Sequence, residues 1–184
     1  MSNPKNQAGG KKLVIGSLIL LIFAAISLTV FAIFRYLAKR KKASPQGTDG
    51  DPSLLLAKAE TIKSIFVTEG LSDKESGYWT AVSAHETGGW TSEVYKSNNN
   101  MFGMKQPEQR DTTSEGEKNG YASYKNEMDS ILDLLLWINA RQFPKEHDSI
   151  RKLTSDMKSK GYFEANYLEY TNAVLKWHAQ LFNS

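Results

Sequence analysis

Residues 83–105 read SAHETGGWTSEVYKSNNNMFGMK. Apolar spacing just ahead of this stretch, with Trp79 and Val82 beside Tyr78, predicts a helix from about Asp73 to Glu86. Gly88-Gly89 then stops it, as glycine commonly does. Glu86 therefore falls at a helix C-terminus. The negative end of the helix disfavours a carboxylate there, and partial burial beside Trp90 adds a desolvation penalty. Both effects favour the protonated acid, the form a glycosidase needs to protonate a leaving glycosidic oxygen near neutral pH. The glycines that follow carry no side chains, which lets a sugar chain approach closely. An isolated glutamate at a helix end is by default a solvated surface charge; the residues further along change that weighting.

His85-Glu86 also invites a zinc-protease reading. The helical HExxH pattern needs a second histidine at position 89, and that residue is Gly89. His147 and His178 lie far away in sequence, so the ligand spacing fails. No metal and no organic cofactor is expected.

Working outward, Asp51-Pro52 supplies an N-cap with proline at the first helical position. Leu55, Ala59, Ile62 and Phe66 then share one helical face. Residues 87–125 are rich in Gly, Asn, Ser and Thr and read as loops, with a small β-hairpin near Gln109–Tyr124. A third helix over about Glu127–Ala140 is apolar over much of its circumference and is expected to be the central buried one. A fourth runs from a cap at Asp148 to Lys160, and a last from about Asn166 to Phe182. Five helices around one core give a mainly α domain.

Four stretches recur in order. They are Glu86-Thr87-Gly88-Gly89-Trp90, Asn99-Asn100-Met101-Phe102-Gly103-Met104-Lys105, Gly120-Tyr121-Ala122-Ser123-Tyr124, and Ser130-Ile131 with Asp133. Together they resemble the bacterial glucosaminidases of glycoside hydrolase family 73, over about residues 54–180. The resemblance implies an α+β lysozyme-like fold and cleavage of β-1,4 bonds in peptidoglycan. It implies that Glu86 is the general acid, that Tyr124 or Tyr121 is the tyrosine of the active cleft, and that Asn100 and Phe102 shape the cleft wall. Chemistry agrees with such roles, because aromatic faces such as Trp90 stack on sugar rings and amides bond to hydroxyl and acetamido groups.

The second carboxylate has three candidates. Family members often carry one on a hairpin before the tyrosine stretch. Asp111, Glu115 and Glu117 are the candidates here, and Glu117 is preferred as the nearest to Gly120-Tyr121. If none reaches the cleft, one acid serves alone, as in a lytic transglycosylase, where the sugar's own hydroxyl closes an anhydro ring. Trp137, Trp177, Tyr167 and Tyr170 sit at helical spacing and read as core packing. Glu93, Lys96 and Lys105 read as surface charge, and His147 has no partner visible in the sequence.

The chain has 184 residues and no cysteine, which excludes disulfides and cysteine–metal sites. Its net charge of +3 hides an asymmetry. Eight basic side chains and no acid precede residue 43, and 15 basic against 20 acidic follow it. The basic residues flank an uncharged apolar run, Leu13–Phe34. As a helix, that run would span about 33 Å, enough for a hydrocarbon core of about 30 Å. It exceeds the length of a signal-peptide core and ends without a small-residue cleavage site, so it reads as an uncleaved transmembrane anchor. The expected organisation is a basic tail (1–12), a transmembrane helix (13–34), a basic juxtamembrane segment and flexible linker (35–53) and the domain (54–184). The larger basic excess after the helix would put the domain in the cytoplasm by the positive-inside rule. Wall cutting then requires either that the three front lysines, Lys5, Lys11 and Lys12, prevail, or residence in another membrane, such as the internal membrane of a bacteriophage particle.

The sequence thus predicts a membrane-anchored glycosidase, acting in a bacterial envelope or phage virion. Its expected partners are peptidoglycan glycan strands and lipid. An acidic domain argues against nucleic acid. A noncatalytic wall-binding or structural membrane protein is the alternative of another class.

Overall fold

The computed structural model describes residues 51–183; the expected membrane helix over Leu13–Phe34 lies outside them. Among the described residues no helix is long and apolar enough to cross a membrane. The elements are α1 (Pro52–Thr68), α2 (Asp73–Thr87), α3 (Glu93–Asn98), β1 (Gly116–Lys118), β2 (Tyr121–Ser123), α4 (Glu127–Ala140), α5 (Ile150–Ser159) and α6 (Tyr167–Phe182). The fold is therefore mainly helical with one two-stranded antiparallel hairpin, compatible with a lysozyme-like architecture.

Local chemistry sets the boundaries. Asp51 caps α1 by accepting from the Ser53 amide at 2.9 Å, with Pro52 at the first helical position. Ser72, Ser92, Asn126, Ser149 and Asn166 cap α2 to α6 in the same way. The cap of α5 is Ser149, one residue beyond the expected Asp148. The short α3 interrupts a stretch read from sequence as loop; six residues give too little periodicity to detect.

The central helix is α2, not α4. It packs against α1 and α6, and ten of its fifteen residues are buried. Most of those ten are small or weakly polar, including Ser76, Gly77, Thr80, Ala81, Ser83 and Ala84. Small side chains let neighbours approach on every side, and the two threonine hydroxyls bond within the helix. Thr80 Oγ1 donates to the Ser76 carbonyl at 2.8 Å, and Thr87 Oγ1 to that of Ser83 at 2.7 Å. A helix buried this way has no apolar stripe for a hydropathy pattern to find. On α4 only one face is covered: Ile131, Leu134 and Ile138 are buried, whereas Leu132, Leu135 and Leu136 remain half-exposed. The rest of the core comprises Ile62 and Phe66 of α1, Trp79 and Val82 of α2, and Leu153 and Met157 of α5. Each such side chain contributes about 1.5–3 kcal/mol by leaving water.

His147 also differs from the sequence reading. It is buried, with Nδ1 2.8 Å from Glu75 Oε1, while its amide donates to Glu75 Oε2 at 3.0 Å. Glu75 therefore ties the 141–149 loop to α2 through residues 72 positions apart in sequence.

Candidate active site

Glu86 occupies the last turn of α2, half-buried. The chain reverses immediately afterwards. Gly88, Gly89 and Trp90 all have positive φ, and the Gly89 amide donates back to Ala84 at 2.8 Å. Trp90 returns onto the helix, its indole N–H donating to Ser83 Oγ at 3.0 Å. Gly89 is glycine for packing as well as for its φ of +71°, because a Cβ there would lie 2.8 Å from the Trp177 ring. Its missing side chain thus admits a tryptophan of α6, not a sugar.

On its other side, Glu86 meets α6. The Tyr170 hydroxyl donates to Glu86 Oε1 at 2.5 Å. Tyr170 is held by a parallel stack on Phe163 at 3.7 Å and by the edge of His85 at 4.7 Å. Burial pushes the Glu86 carboxyl above its ordinary value, and the Tyr170 hydrogen bond pulls partly against that rise. The result is an acid able to hold its proton closer to neutral pH than a solvated glutamate does. Tyr162, half-buried, sits nearby. Burial, followed by the charges of Glu86 and Tyr124, pushes its hydroxyl well above the ordinary tyrosine value.

The third wall is the 99–105 loop. Asn100 organises it from inside: its amide donates to the carbonyls of Met104 and Ala122, each at 2.9 Å, and its Oδ1 accepts from the amides of Phe102 and Met104. The Met101 amide donates to Ser130 Oγ at 3.0 Å, and Ser83 Oγ donates to the Met101 carbonyl at 3.1 Å. Gly103, at φ +60°, faces Glu86; a Cβ there would be 3.4 Å from Glu86 Oε2. Glu86, Ser92, Val94, Asn100, Gly103, Lys105 and Tyr121 enclose a cleft of about 310 Å³.

Such a cleft, floored by one raised carboxyl, can deliver a proton to a bound ether or acetal oxygen. A family model described as "Mannosyl-glycoprotein endo-beta-N-acetylglucosaminidase" matches residues 72–181. The chain belongs to the glucosaminidase family. It is a glycoside hydrolase acting on peptidoglycan. The fold also resembles a chain from the "Structure of a type VI secretion system effector-immunity complex from Pseudomonas protegens". The TM-score is 0.55 at 11% identity, covering 69% of this chain and 93% of that one. A comparison with curated proteins finds no match.

Within this glucosaminidase domain, the predicted site residues separate into two groups. Glu86, Asn100 and Tyr121 come together at the cleft. Trp90 and Phe102 do not line it. Both rings are core, Phe102 packing edge-on against Phe66 at 6.1 Å, and Phe102 meets the site through its carbonyl, which accepts from Tyr162 at 3.2 Å. Tyr124 is buried behind the cleft. Its hydroxyl donates to Asp133 Oδ2 at 2.8 Å, and Arg110 grips both oxygens of that carboxylate at 2.7 and 2.8 Å. Burial and then the Asp133 charge push the Tyr124 hydroxyl above its ordinary value.

Glu117 lies on β1 opposite Ala122, and cross-strand partners share a face. Tyr121 pairs with Lys118 and so points to the other face, the one that lines the cleft. Glu117 is exposed and stands off the cleft; Glu115 and Asp111 are exposed and do not line it either. Sequence reasoning missed Tyr170 as a site residue. Its helical spacing marks it as core, and it is buried; only the position of its hydroxyl reveals the second role.

Proposed function

We propose that this protein is a membrane-tethered endo-β-N-acetylglucosaminidase in which Glu86 is the general acid. The contact of Tyr170 with a half-buried Glu86, in a cleft closed by the Asn99–Lys105 loop, carries this reading. Glu86, whose burial favours its protonated form, gives its proton to the glycosidic oxygen as that bond breaks, and the sugar ring takes up oxocarbenium character. Tyr170 fixes which Glu86 oxygen is free: Oε1 is occupied, leaving Oε2 for the substrate. Tyr121 supplies an aromatic face for a sugar ring. Tyr124 acts at one remove, by holding the hairpin to Asp133 and α4.

A second reading has its own support. Among the described residues, Glu86 is the only carboxylate lining the cleft. A lone acid suits a lytic transglycosylase, with Glu86 first protonating the leaving oxygen and then, as carboxylate, accepting a proton from the sugar hydroxyl that closes the anhydro ring.

Leu13–Phe34 is proposed as the anchor that confines the enzyme to wall next to its membrane, raising its local concentration there. A phage virion with an internal membrane is the setting that best suits the charge order. Detection of the protein solely in uninfected envelopes would remove that setting.

Mass spectrometry of purified peptidoglycan digested by the protein tests the chemistry. Reducing-end N-acetylglucosamine supports the glucosaminidase; anhydromuramic ends support the transglycosylase. No product from demonstrably folded protein would contradict both.

A further inference from the structure

Among the described residues, one cation lines the cleft. Lys105 ends the loop that closes over Glu86, and its ammonium is held at two points. Nζ donates to the Gly120 carbonyl at 2.7 Å and lies 3.8 Å from the centre of the Tyr121 ring. Both anchors belong to the hairpin turn and to β2. Among the described residues no acid pairs with Lys105, whereas Lys58, Lys63 and Lys152 each have one. An ammonium carries three N–H groups, and Gly120 takes one. The remaining two are directed by a carbonyl and an aromatic face rather than by a long free stem. The rotamer freedom a flexible lysine loses on binding is therefore already partly gone.

The rest of the lining carries no fixed charge apart from Glu86 itself, with Ser92, Val94, Asn100, Gly103 and Tyr121 completing it. Asn100 spends its amide hydrogens on the carbonyls of Met104 and Ala122 and its oxygen on the loop's own amides, so it offers the ligand little polarity. The charge a ligand meets is one carboxyl and one positioned ammonium, beside an aromatic plate. An uncharged sugar polymer would use the plate and leave the ammonium idle. A strand with a carboxylate near the ring stacked on Tyr121 would use both.

We propose that Lys105 and Tyr121 form a subsite for a muramyl unit, with Tyr121 stacking on its ring and Lys105 binding a carboxylate carried on its 3-substituent. This rests on the peptidoglycan glycosidase reading and gives it a specificity element. The carboxylate has two sources: the lactyl group in peptide-free strands, and the acidic residues of the stem peptide in intact ones. Charge-assisted hydrogen bonds of this kind distinguish a carboxylate from its amide strongly, because the amide returns no charge to the ammonium.

The test uses the full-length chain carrying Glu86→Gln, so that binding is read without turnover. Calorimetry compares peptide-free and peptide-bearing glycan strands, each native and with carboxylates converted to methylamides. With Lys105 present, native strands bind about tenfold tighter than amidated ones. Lys105→Met brings that ratio to about one, and Lys105→Arg keeps most of it. Loss of the ratio in peptide-free strands assigns the lactyl carboxylate; loss in peptide-bearing strands alone assigns the stem. If Lys105 merely clamps the turn at Gly120, Lys105→Met weakens native and amidated strands by the same factor, and the proposal falls. It falls also if the folded Glu86→Gln chain binds no strand. Failure of the cleavage reading is seen separately, in the absence of products from the parent protein, and leaves this binding ratio measurable.

Discussion

The Tyr170 hydroxyl donates to Glu86 Oε1 across 2.5 Å, joining α2 and α6 through residues 84 positions apart. That bond works against burial, which alone raises the Glu86 carboxyl. Tyr170→Phe removes the donor and leaves burial unopposed, so Glu86 loses its proton at a higher pH. The basic limb of the activity profile, where a general acid is lost, therefore moves to higher pH. The catalytic rate falls about tenfold, because the carboxyl is no longer held in one orientation. A pH–rate profile of wild type and variant reads both effects. A basic limb that stays in place or moves down would show that Tyr170 does not act on Glu86.

Gly103 separates loop geometry from stability. At φ +60° an alanine costs about 1 kcal/mol of backbone strain, and its methyl would stand 3.4 Å from Glu86 Oε2. Gly103→Ala is expected to lower stability by about that amount and activity by a larger factor, roughly tenfold or more. Denaturant titration beside an assay of wall lysis checks the two together. An activity loss no larger than the folding defect explains would place the cleft elsewhere.

Asp133 tests the support behind the cleft. Burial opposes its ionisation, but hydrogen bonds from Arg110, Thr112 and Tyr124 outweigh that and hold its carboxyl below the ordinary value. A depressed carboxyl contributes stability that is present above its unfolded value of about 3.9 and lost as pH falls through the lower folded one. Asp133→Asn leaves Arg110 unpaired and is expected to cost about 3 kcal/mol near neutrality. The loss shrinks as pH drops below about 4, where the wild type forfeits the same interaction. Urea midpoints across pH measure it; a loss that does not depend on pH would refute this electrostatic account.

Much of the fold was legible in the sequence where the chemistry is local. Asp51-Pro52 and Gly88 mark helix ends through their own side chains or lack of one, and the structure puts those ends where they are expected. On α4 the sequence shows apolar residues over much of the circumference, and packing alone selects Ile131, Leu134 and Ile138 as the inner face. What stayed hidden depends on pairs distant in sequence. The burial of α2 on all sides follows from small residues that score as nearly neutral in hydropathy. Glu75 and His147 reveal their bond only once the 141–149 loop has folded back. In the site, Glu86 and the Asn99–Lys105 loop could be found by motif. Tyr170 could not, since a buried tyrosine at helical spacing looks the same whether or not its hydroxyl meets an acid.

The hairpin carboxylate follows the same logic. Which face Glu117 takes depends on register, and pairing Glu117 with Ala122 sends it away from Tyr121. Glu117→Gln is therefore expected to keep activity within about twofold of wild type, the range for an exposed substitution away from the site. A loss of a hundredfold or more would restore it as the second catalytic group and require the hairpin to turn over on substrate.

The most direct test is release of soluble glycan fragments from purified peptidoglycan by the full-length protein and its Glu86→Gln variant, both verified as folded by circular dichroism. Glu86 as general acid predicts a fall of at least about a thousandfold, with wall binding retained. A Glu86→Gln protein that still releases fragments at a rate close to wild type would contradict the account at its centre.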